Sequence, residues 1–264
     1  MTHGRKFLES RLNDTLENGD KLFVPYIMAG DGGLNELIHK LQFLSEAGAS
    51  AIEVGIPFSD PVADGPTIQE AGKRALEEQV TLYDVINTLK ANRHLVDAPI
   101  IFMTYLNPIF KMGIESFVHD AKLAGVDGLI IPDLPYEQQT VIQGYLKEAD
   151  IALIQLVSLT SSEQRIKHLA EASEGFTYAI TVNGITGARS NVTENLNTYF
   201  KQLKQASSVP VLAGFGISTP EHVKQMSETT DGVIVGSKIV ELFHQKDYES
   251  IKRLIDSSKS IIYK

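Results

Sequence analysis

The sequence predicts an α/β fold, a (β/α)8 barrel of the TIM-barrel class with one extra N-terminal helix. Eight short apolar runs alternate with segments of helical period from about residue 22 to the C-terminus. The runs are nearly continuous in hydrophobic residues, which is typical of parallel strands covered on both faces. A chain of 264 residues suits one such barrel, so we expect residues 1–264 to form a single domain.

The extra helix is predicted just after the N-terminus. Phe7, Leu8, Leu12 and Leu16 stand among charged residues, a pattern that indicates an amphipathic helix and not the apolar core of a secretion signal. No apolar run approaches the roughly 18 residues that a membrane span requires. We therefore expect a soluble, cytoplasmic protein without a membrane partner.

The eight strands are predicted from their apolar composition. In chain order they are Leu22 to Met28, Ala51 to Ile56, Ile100 to Tyr105, Gly128 to Ile131, Ala152 to Val157, Tyr178 to Val182, Pro210 to Ala213 and Gly232 to Val235.

Helices are predicted between these strands, for example over Leu34 to Ala47, where apolar residues recur every three or four positions. Gly48 and Gly113 are predicted to stop helices, and Ser218 with Glu221 resembles a capping box. An open, doubly wound sheet remains an alternative, although the count of eight favours closure. The first strand is followed by Ala29-Gly30-Asp31-Gly32-Gly33, which lacks dinucleotide-binding spacing.

Composition excludes several functional classes. Lysine and arginine total 24 against 33 aspartate and glutamate, so the net charge is 24 − 33 = −9, which disfavours nucleic-acid binding. Cysteine is absent, which excludes disulfides and thiolate metal sites. The seven histidines show no metal-ligand spacing, and we predict no metal site.

Glu53 is the first candidate catalytic residue, because it lies in the apolar run Ala51-Ile52-Glu53-Val54-Gly55-Ile56. Burial raises the pKa of a carboxyl group toward the range useful for proton transfer, and strand ends in a barrel face the catalytic mouth. The alternative is a carboxylate paired with a lysine of the barrel.

Asp64 is the second candidate, in the long loop Pro57 to Thr67 that also contains Asp60. Either aspartate could instead cap the helix predicted near Thr67 or support the turn at Gly65.

A phosphate site is predicted from glycines that follow the last three strands, in Gly184-Ile185-Thr186-Gly187, Gly214-Phe215-Gly216-Ile217-Ser218 and Gly236-Ser237. Glycine lets backbone amides approach an anion, and a helix N-terminus adds partial positive charge. Tyr26, Tyr105, Tyr178 and Phe215 lie near strand ends, where they could wall a flat substrate or simply pack in the core.

The segment Glu53 to Gln69, with Asn107-Pro108, Pro132-Asp133-Leu134-Pro135 and the glycine loops, resembles the tryptophan synthase alpha chain family over nearly the whole chain. The resemblance implies a carbon–carbon lyase that cleaves indole-3-glycerol phosphate to indole and glyceraldehyde 3-phosphate. It implies that Glu53 is the general acid/base and that Asp64 accepts the indole N–H.

Further residues match the family by position. Those that resemble its substrate and phosphate pocket are Tyr26, Tyr105, Ile130, Tyr178, Thr186, Gly187, Phe215, Gly216, Ile234, Gly236 and Ser237. The resemblance also implies a beta-chain partner in an α2β2 tetramer, with Asp60 facing it. Pyridoxal phosphate would belong to that partner and no cofactor to this chain. The chain departs from the family at Gly33 and at Thr181-Val182-Asn183.

Two other functions are weighed. A phosphate-binding isomerase or aldolase barrel would share the glycine loops, but a Schiff-base aldolase needs a lysine at a strand end, and none of the predicted strands has one. A non-catalytic subunit that only activates a beta chain would not need the two carboxylates.

Overall fold

The computed structural model describes residues 3–180, 190–214 and 216–260. In these ranges nine parallel strands form one sheet, with neighbours in the order β5-β4-β3-β2-β1-β9-β8-β7-β6. The strands are β1 (Leu22–Met28), β2 (Ile52–Gly55), β3 (Ile100–Met103), β4 (Gly128–Ile130), β5 (Ala152–Leu153), β6 (Gln155–Ser158), β7 (Thr177–Ile180), β8 (Val211–Gly214) and β9 (Gly232–Val235).

The sheet closes into the predicted barrel at its fifth predicted strand. The run from Ala152 to Val157 divides at Ile154, so that β5 pairs with β4 while β6 pairs with β7. The two ends of the sheet order are therefore consecutive pieces of chain, and the barrel is confirmed with nine strands in place of eight. An open doubly wound sheet is excluded because its two edge strands would lie on opposite sides of the sheet, whereas β5 and β6 are separated by Ile154 alone.

Helices surround the barrel. Over the described residues they are α1 (Arg5–Glu17), α2 (Leu34–Ala47), α3 (Pro66–Glu77), α4 (Leu82–Asn92), α5 (Leu106–Met112), α6 (Ile114–Leu123), α7 (Thr140–Ala149), α8 (Glu163–Ala172), α9 (Ser190–Ala206), α10 (Pro220–Thr229), α11 (Ser237–His244) and α12 (Tyr248–Asp256), with 3-10 turns at Arg93–Leu95 and Tyr136–Gln138. None of these helices is long and apolar enough to cross a membrane.

Both faces of the strands are buried, as their composition predicts. Ile52 and Val54 of β2 belong to the large cluster between strands and helices, whereas Ala51 belongs to the cluster inside the barrel. Because side chains alternate along a strand, Glu53 faces the interior together with Ala51.

The extra helix α1 closes the amino-terminal end of the barrel. Leu8 and Leu12 are fully buried in the interior cluster, and Leu8 lies against the start of β4 at Gly128. The backbone amide of Gly4 donates a 2.6 Å hydrogen bond to the buried carboxylate of Asp127. A ligand can therefore reach the interior from the carboxyl ends of the strands, where the βα loops lie.

Predicted helix ends are confirmed at Gly48, a left-handed cap with φ of 96°, and at Gly113, which follows α5. The capping box predicted at Ser218 is wrong by one residue. Thr219 is the N-cap of α10 and accepts a hydrogen bond from the amide of His222, because Pro220 takes the first helical position.

Candidate active site

Glu53 lies in β2 and points into the barrel. Its side chain is 1% exposed, and its Oε2 atom has no hydrogen-bond partner among the residues that the structure describes. A buried carboxyl oxygen without a partner is costly unless the group is protonated or a ligand completes its hydrogen bonds. The placement therefore favours a group that interacts with a ligand.

Burial raises the pKa of Glu53 from 4.5 to about 8, and the negative charge of Asp64 adds to the rise. The carboxyl group consequently holds a proton at neutral pH and can donate it to a bound molecule. Pairing with a barrel lysine is not found, since no cation of the described residues lowers this pKa.

Asp64 lies in the loop between β2 and α3 and is partly exposed. Partial burial raises its pKa from 3.8 to about 6, while a favourable interaction with the Tyr105 hydroxyl lowers it. The N-cap of α3 is Gly65, and no side chain caps this helix. Asp64 is therefore not a helix cap, and its carboxylate remains available in the cavity that it lines.

Tyr105 holds the loop of Asp64 in place. Its hydroxyl accepts a 2.9 Å hydrogen bond from the amide of Ala63, and its ring packs at 5.2 Å from the ring of Phe58. Burial raises the pKa of Tyr105 to about 12, so the hydroxyl stays protonated at physiological pH. Residues at both ends of the loop are thus tied to the end of β3.

Two buried tyrosines flank Glu53. Tyr26 of β1 is in register with Glu53, and Tyr178 lies in β7 across the barrel. Burial, and then the charges of Glu53 and Asp64, raise the pKa of both hydroxyls well above 10. Each ring lies over a glycine: a Cβ atom at Gly55 would be 1.8 Å from the Tyr26 hydroxyl oxygen, and one at Gly214 would be 2.2 Å from the Tyr178 ring.

Glu53, Asp64, Tyr26 and Tyr178 line one cavity of about 370 Å³ at the carboxyl ends of the strands. We define its inner part by the residues of the strands and of the segment after β2, and its outer part by the residues that follow β8 and β9. The inner part is lined by Tyr26, Glu53, Ala63, Asp64, Gly65, Pro66, Ile68, Met103, Tyr178 and Ile234, and the outer part by Gly216, Ile217, Ser218, Gly236, Ser237, Lys238 and Glu241. An elongated molecule with one flat apolar end and one polar end fits this division.

The outer part has the features of an anion site. Helix α11 begins at Ser237 directly after Gly236, and the first amides of a helix have no partner within it. Gly216 has a φ of +75°, a conformation that suits glycine and places its backbone at the cavity wall.

Most of the predicted site residues come together in this cavity, but not all. Ile130 is fully buried in the interior cluster with Tyr178 and Ile234 and is not among the lining residues. Tyr105 does not line the cavity either, and it contacts the loop of Asp64 instead. Asp60 is exposed in the loop before Asp64 and accepts a 2.6 Å hydrogen bond from the Ser59 hydroxyl. Thr186, Gly187 and Phe215 lie outside the described residues.

The sequence interpretation did not identify Met103, Ile68, Lys238 and Glu241 as lining residues. Met103 could have been found from the two-residue period of β3, in which Ile101 also faces inward. Lys238 follows a predicted site residue directly, so the helix start at Gly236-Ser237 was a usable signal. No group of three side chains able to hold a metal ion occurs among the described residues.

A family model described as "Tryptophan synthase alpha chain" matches residues 12–261. A tryptophan synthase alpha chain of Bacillus cereus is 51% identical over 249 residues, which cover 94% of this chain and 96% of that one. The alpha chain of Bacillus anthracis has the same identity and coverage.

Solved structures agree with the sequence relatives. A protein of Aquifex aeolicus superposes with a TM-score of 0.87 at 32% identity and covers 97% of this chain and 100% of its own. A chain of Mycobacterium tuberculosis tryptophan synthase has a TM-score of 0.87 at 30% identity, with 96% and 98% covered.

Proposed function

Since the chain belongs to the tryptophan synthase alpha chain family, we propose that it cleaves indole-3-glycerol phosphate to indole and glyceraldehyde 3-phosphate. Glu53 and Asp64 are the catalytic residues of this proposal. The observation that carries it is the 1% exposed Glu53 carboxyl, whose Oε2 atom lacks a partner among the described residues, in one cavity with Asp64.

The reaction needs a proton at C3 of the indole ring and the removal of a proton from the hydroxyl group on the adjacent side-chain carbon. Protonated Glu53 donates to C3, and the resulting carboxylate accepts the hydroxyl proton. The bond between C3 and the side chain then breaks, its electron pair returns to the ring, and the side chain leaves as the aldehyde. A pKa of about 8 supports this role, because donor and acceptor forms are both accessible near neutral pH.

Asp64 stabilises the charge that this step creates. Protonation at C3 makes the ring cationic, and the positive charge resides largely on the ring N–H. A carboxylate that accepts a hydrogen bond from that N–H lowers the energy of the cation. With a pKa of about 6, Asp64 is ionised at neutral pH, as this role requires.

The shape of the cavity supports the same substrate. Tyr26, Tyr178, Met103 and Ile234 provide apolar walls for an indole ring beside the carboxyl groups. Gly216, Gly236 and the start of α11 provide amides for the phosphate. For Thr186, Gly187 and Phe215 the phosphate or pocket role remains a proposal from their position in the sequence, as does a pocket role for Ile130.

We also propose the finer features that the family implies. Residues 1–264 act as one domain, since the first and last strands pair and α1 packs Leu8 and Leu12 into the interior cluster of the barrel. The chain works in the cytoplasm without a cofactor of its own, in an α2β2 tetramer whose beta chains hold pyridoxal phosphate. Asp60, exposed on the loop before Asp64, faces the beta chain.

Indole release from indole-3-glycerol phosphate tests the function, with the full chain assayed alone and with a tryptophan synthase beta chain. We expect Glu53→Gln to lose several orders of magnitude in kcat and Asp64→Asn to lose at least about a hundredfold. Glu70→Gln, the same change at an exposed residue of α3, serves as the control.

The outcome also separates the alternatives. A non-catalytic activating subunit would release no indole in either condition. Turnover of Glu53→Gln equal to that of Glu70→Gln would remove Glu53 from the mechanism. A sugar-phosphate isomerase or aldolase would convert a sugar phosphate that lacks the indole ring, and it would leave indole-3-glycerol phosphate intact.

A further inference from the structure

A lysine lies at the polar end of the active-site cavity. Lys238 is the second residue of α11 and lines the cavity with Gly216, Ser218 and Gly236. Its side chain is 29% exposed, and its Nζ atom lies 3.1 Å from Oε1 of Glu241, one helical turn later. Glu241 lines the same cavity and is 45% exposed.

Lys238 matters for anion binding because the other charged residues that line the cavity are acids. Among the described lining residues the acids are Glu53, Asp64 and Glu241, and Lys238 is the one cation. Glu53 is protonated at neutral pH, so an incoming phosphate dianion meets the negative charges of Asp64 and Glu241. Like charges in one partly desolvated cavity repel each other, and a neighbouring cation offsets this repulsion.

We propose that Lys238 is a phosphate-binding residue that sets the affinity for the phosphate ester, by turning its ammonium group from Glu241 to the substrate. The proposal deepens the proposed function and rests on it for the identity of the ester. Helix amides supply directed hydrogen bonds at this end of the cavity, and Lys238 adds a full charge that amides lack.

The ammonium group of Lys238 can leave Glu241 for the phosphate at a small cost in free energy. The pair is partly exposed, with Lys238 at 29% and Glu241 at 45%, and such a pair three residues apart on one helix stabilises a protein only weakly, because water and salt screen it. A dianion offers the ammonium group a stronger partner than one carboxylate. Glu241 is therefore the partner of Lys238 in the free protein. In a variant that lacks the lysine, the charge of Glu241 would repel an anion.

The test compares Lys238→Met with Lys252→Met, which removes the same charge from an exposed position of α12 outside the cavity. With the full chain and a beta chain, we expect Lys238→Met to raise KM for indole-3-glycerol phosphate about tenfold while kcat stays within about twofold. Lys238→Arg should keep KM within about threefold of the wild type, because the charge remains.

Variants of Glu241 provide a second, independent test. Glu241→Gln should lower KM about twofold, since it removes a repelling charge and frees the lysine. The double variant Lys238→Met/Glu241→Gln should have a KM between those of the wild type and Lys238→Met. Calorimetric titration with inorganic phosphate should show the same order of affinities without any turnover.

The proposal is overturned if Lys238→Met binds inorganic phosphate and substrate as Lys252→Met does, or if it loses kcat with an unchanged KM. A wild-type chain that binds phosphate through Lys238 but releases no indole would contradict the proposed function and leave the binding role supported. The two failures are therefore distinguishable.

Discussion

The hydroxyl of Tyr105 accepts a 2.9 Å hydrogen bond from the backbone amide of Ala63. This contact joins the end of β3 to the loop that carries Asp64, although the two bonded residues are 42 positions apart. The position of Asp64 is thus determined by a side chain from another βα unit.

Tyr105→Phe removes this anchor and keeps the ring that packs on Phe58. We expect kcat/KM to fall about tenfold or more, because a displaced Asp64 no longer meets the ring N–H. The pKa of Asp64 should rise, since the interaction with the hydroxyl lowers it. The acid limb of the pH–rate profile therefore moves to higher pH. Tyr145→Phe, at an exposed tyrosine of α7, is the control, and equal profiles for the two variants would contradict the anchoring role.

The pH dependence of kcat/KM should be bell-shaped with a maximum near pH 7. Below the Asp64 pKa of about 6 the countercharge is lost by protonation, and above the Glu53 pKa of about 8 the acid is lost by ionisation. In Asp64→Asn the residual activity should lack the acid limb. Its basic limb should move to lower pH, because the Asp64 charge helps to raise the Glu53 pKa. Activity that rises without a maximum through pH 9 would exclude protonated Glu53 as the donor.

Glu53→Gln should stabilise the protein. The pKa of Glu53 in the folded protein is raised from 4.5 to about 8. Below pH 4.5 the carboxyl group is protonated in both the folded and the unfolded state, so this shift does not lower the free energy of unfolding. Its destabilising effect grows as pH rises above 4.5 and levels off above about 8. At pH 7 we expect a gain on the order of 3 kcal/mol in the free energy of unfolding, measured by urea denaturation. A difference that stays constant between pH 5 and pH 8 would contradict this origin.

Gly55→Ala should disrupt the site although it adds one methyl group. The new Cβ would lie 1.8 Å from the Tyr26 hydroxyl oxygen and 2.4 Å from Cζ, and Tyr26 is only 5% exposed, so its ring must shift into the cavity that it lines. We expect a destabilisation of about 2 kcal/mol and a loss of activity as Tyr26 moves. Gly144→Ala in α7 meets no atom within 4 Å and should stabilise by about 0.5–1 kcal/mol. The melting temperatures of both variants check this contrast. Equal changes in melting temperature would show that Tyr26 moves away from the new methyl group at little cost.

The strands of the barrel were predictable from the sequence because their cause is local, whereas the count of eight only favoured closure over an open sheet. Parallel strands buried on both faces need continuous apolar runs, and each run from Leu22 onward has that composition. The same logic identified Glu53, since an acid within an apolar run has either a partner or a function. Helix stops at Gly48 and Gly113 were also predictable, because their backbone conformations favour glycine.

Contacts between distant segments were decided by the tertiary structure. Ile154 divides a continuous apolar run because β5 and β6 pair with different neighbours. Whether Asp64 caps a helix or faces a cavity depended on Tyr105 of another unit. The need for glycine at position 55 comes from Tyr26 on the neighbouring strand.

Lys238 illustrates the same limit within the site. Sequence alone places it after Ser237 at a helix start, where a lysine is ordinarily a solvated surface residue. Only closure of the barrel brings the start of α11 to the cavity that contains Glu53 and Asp64. The composition and the hydrophobic periodicity of the sequence thus determined the helices and strands and their buried faces, because these features depend on residues that are near each other in the chain. The site depended on which side chains meet across the barrel, because that is set by strand pairing and loop packing.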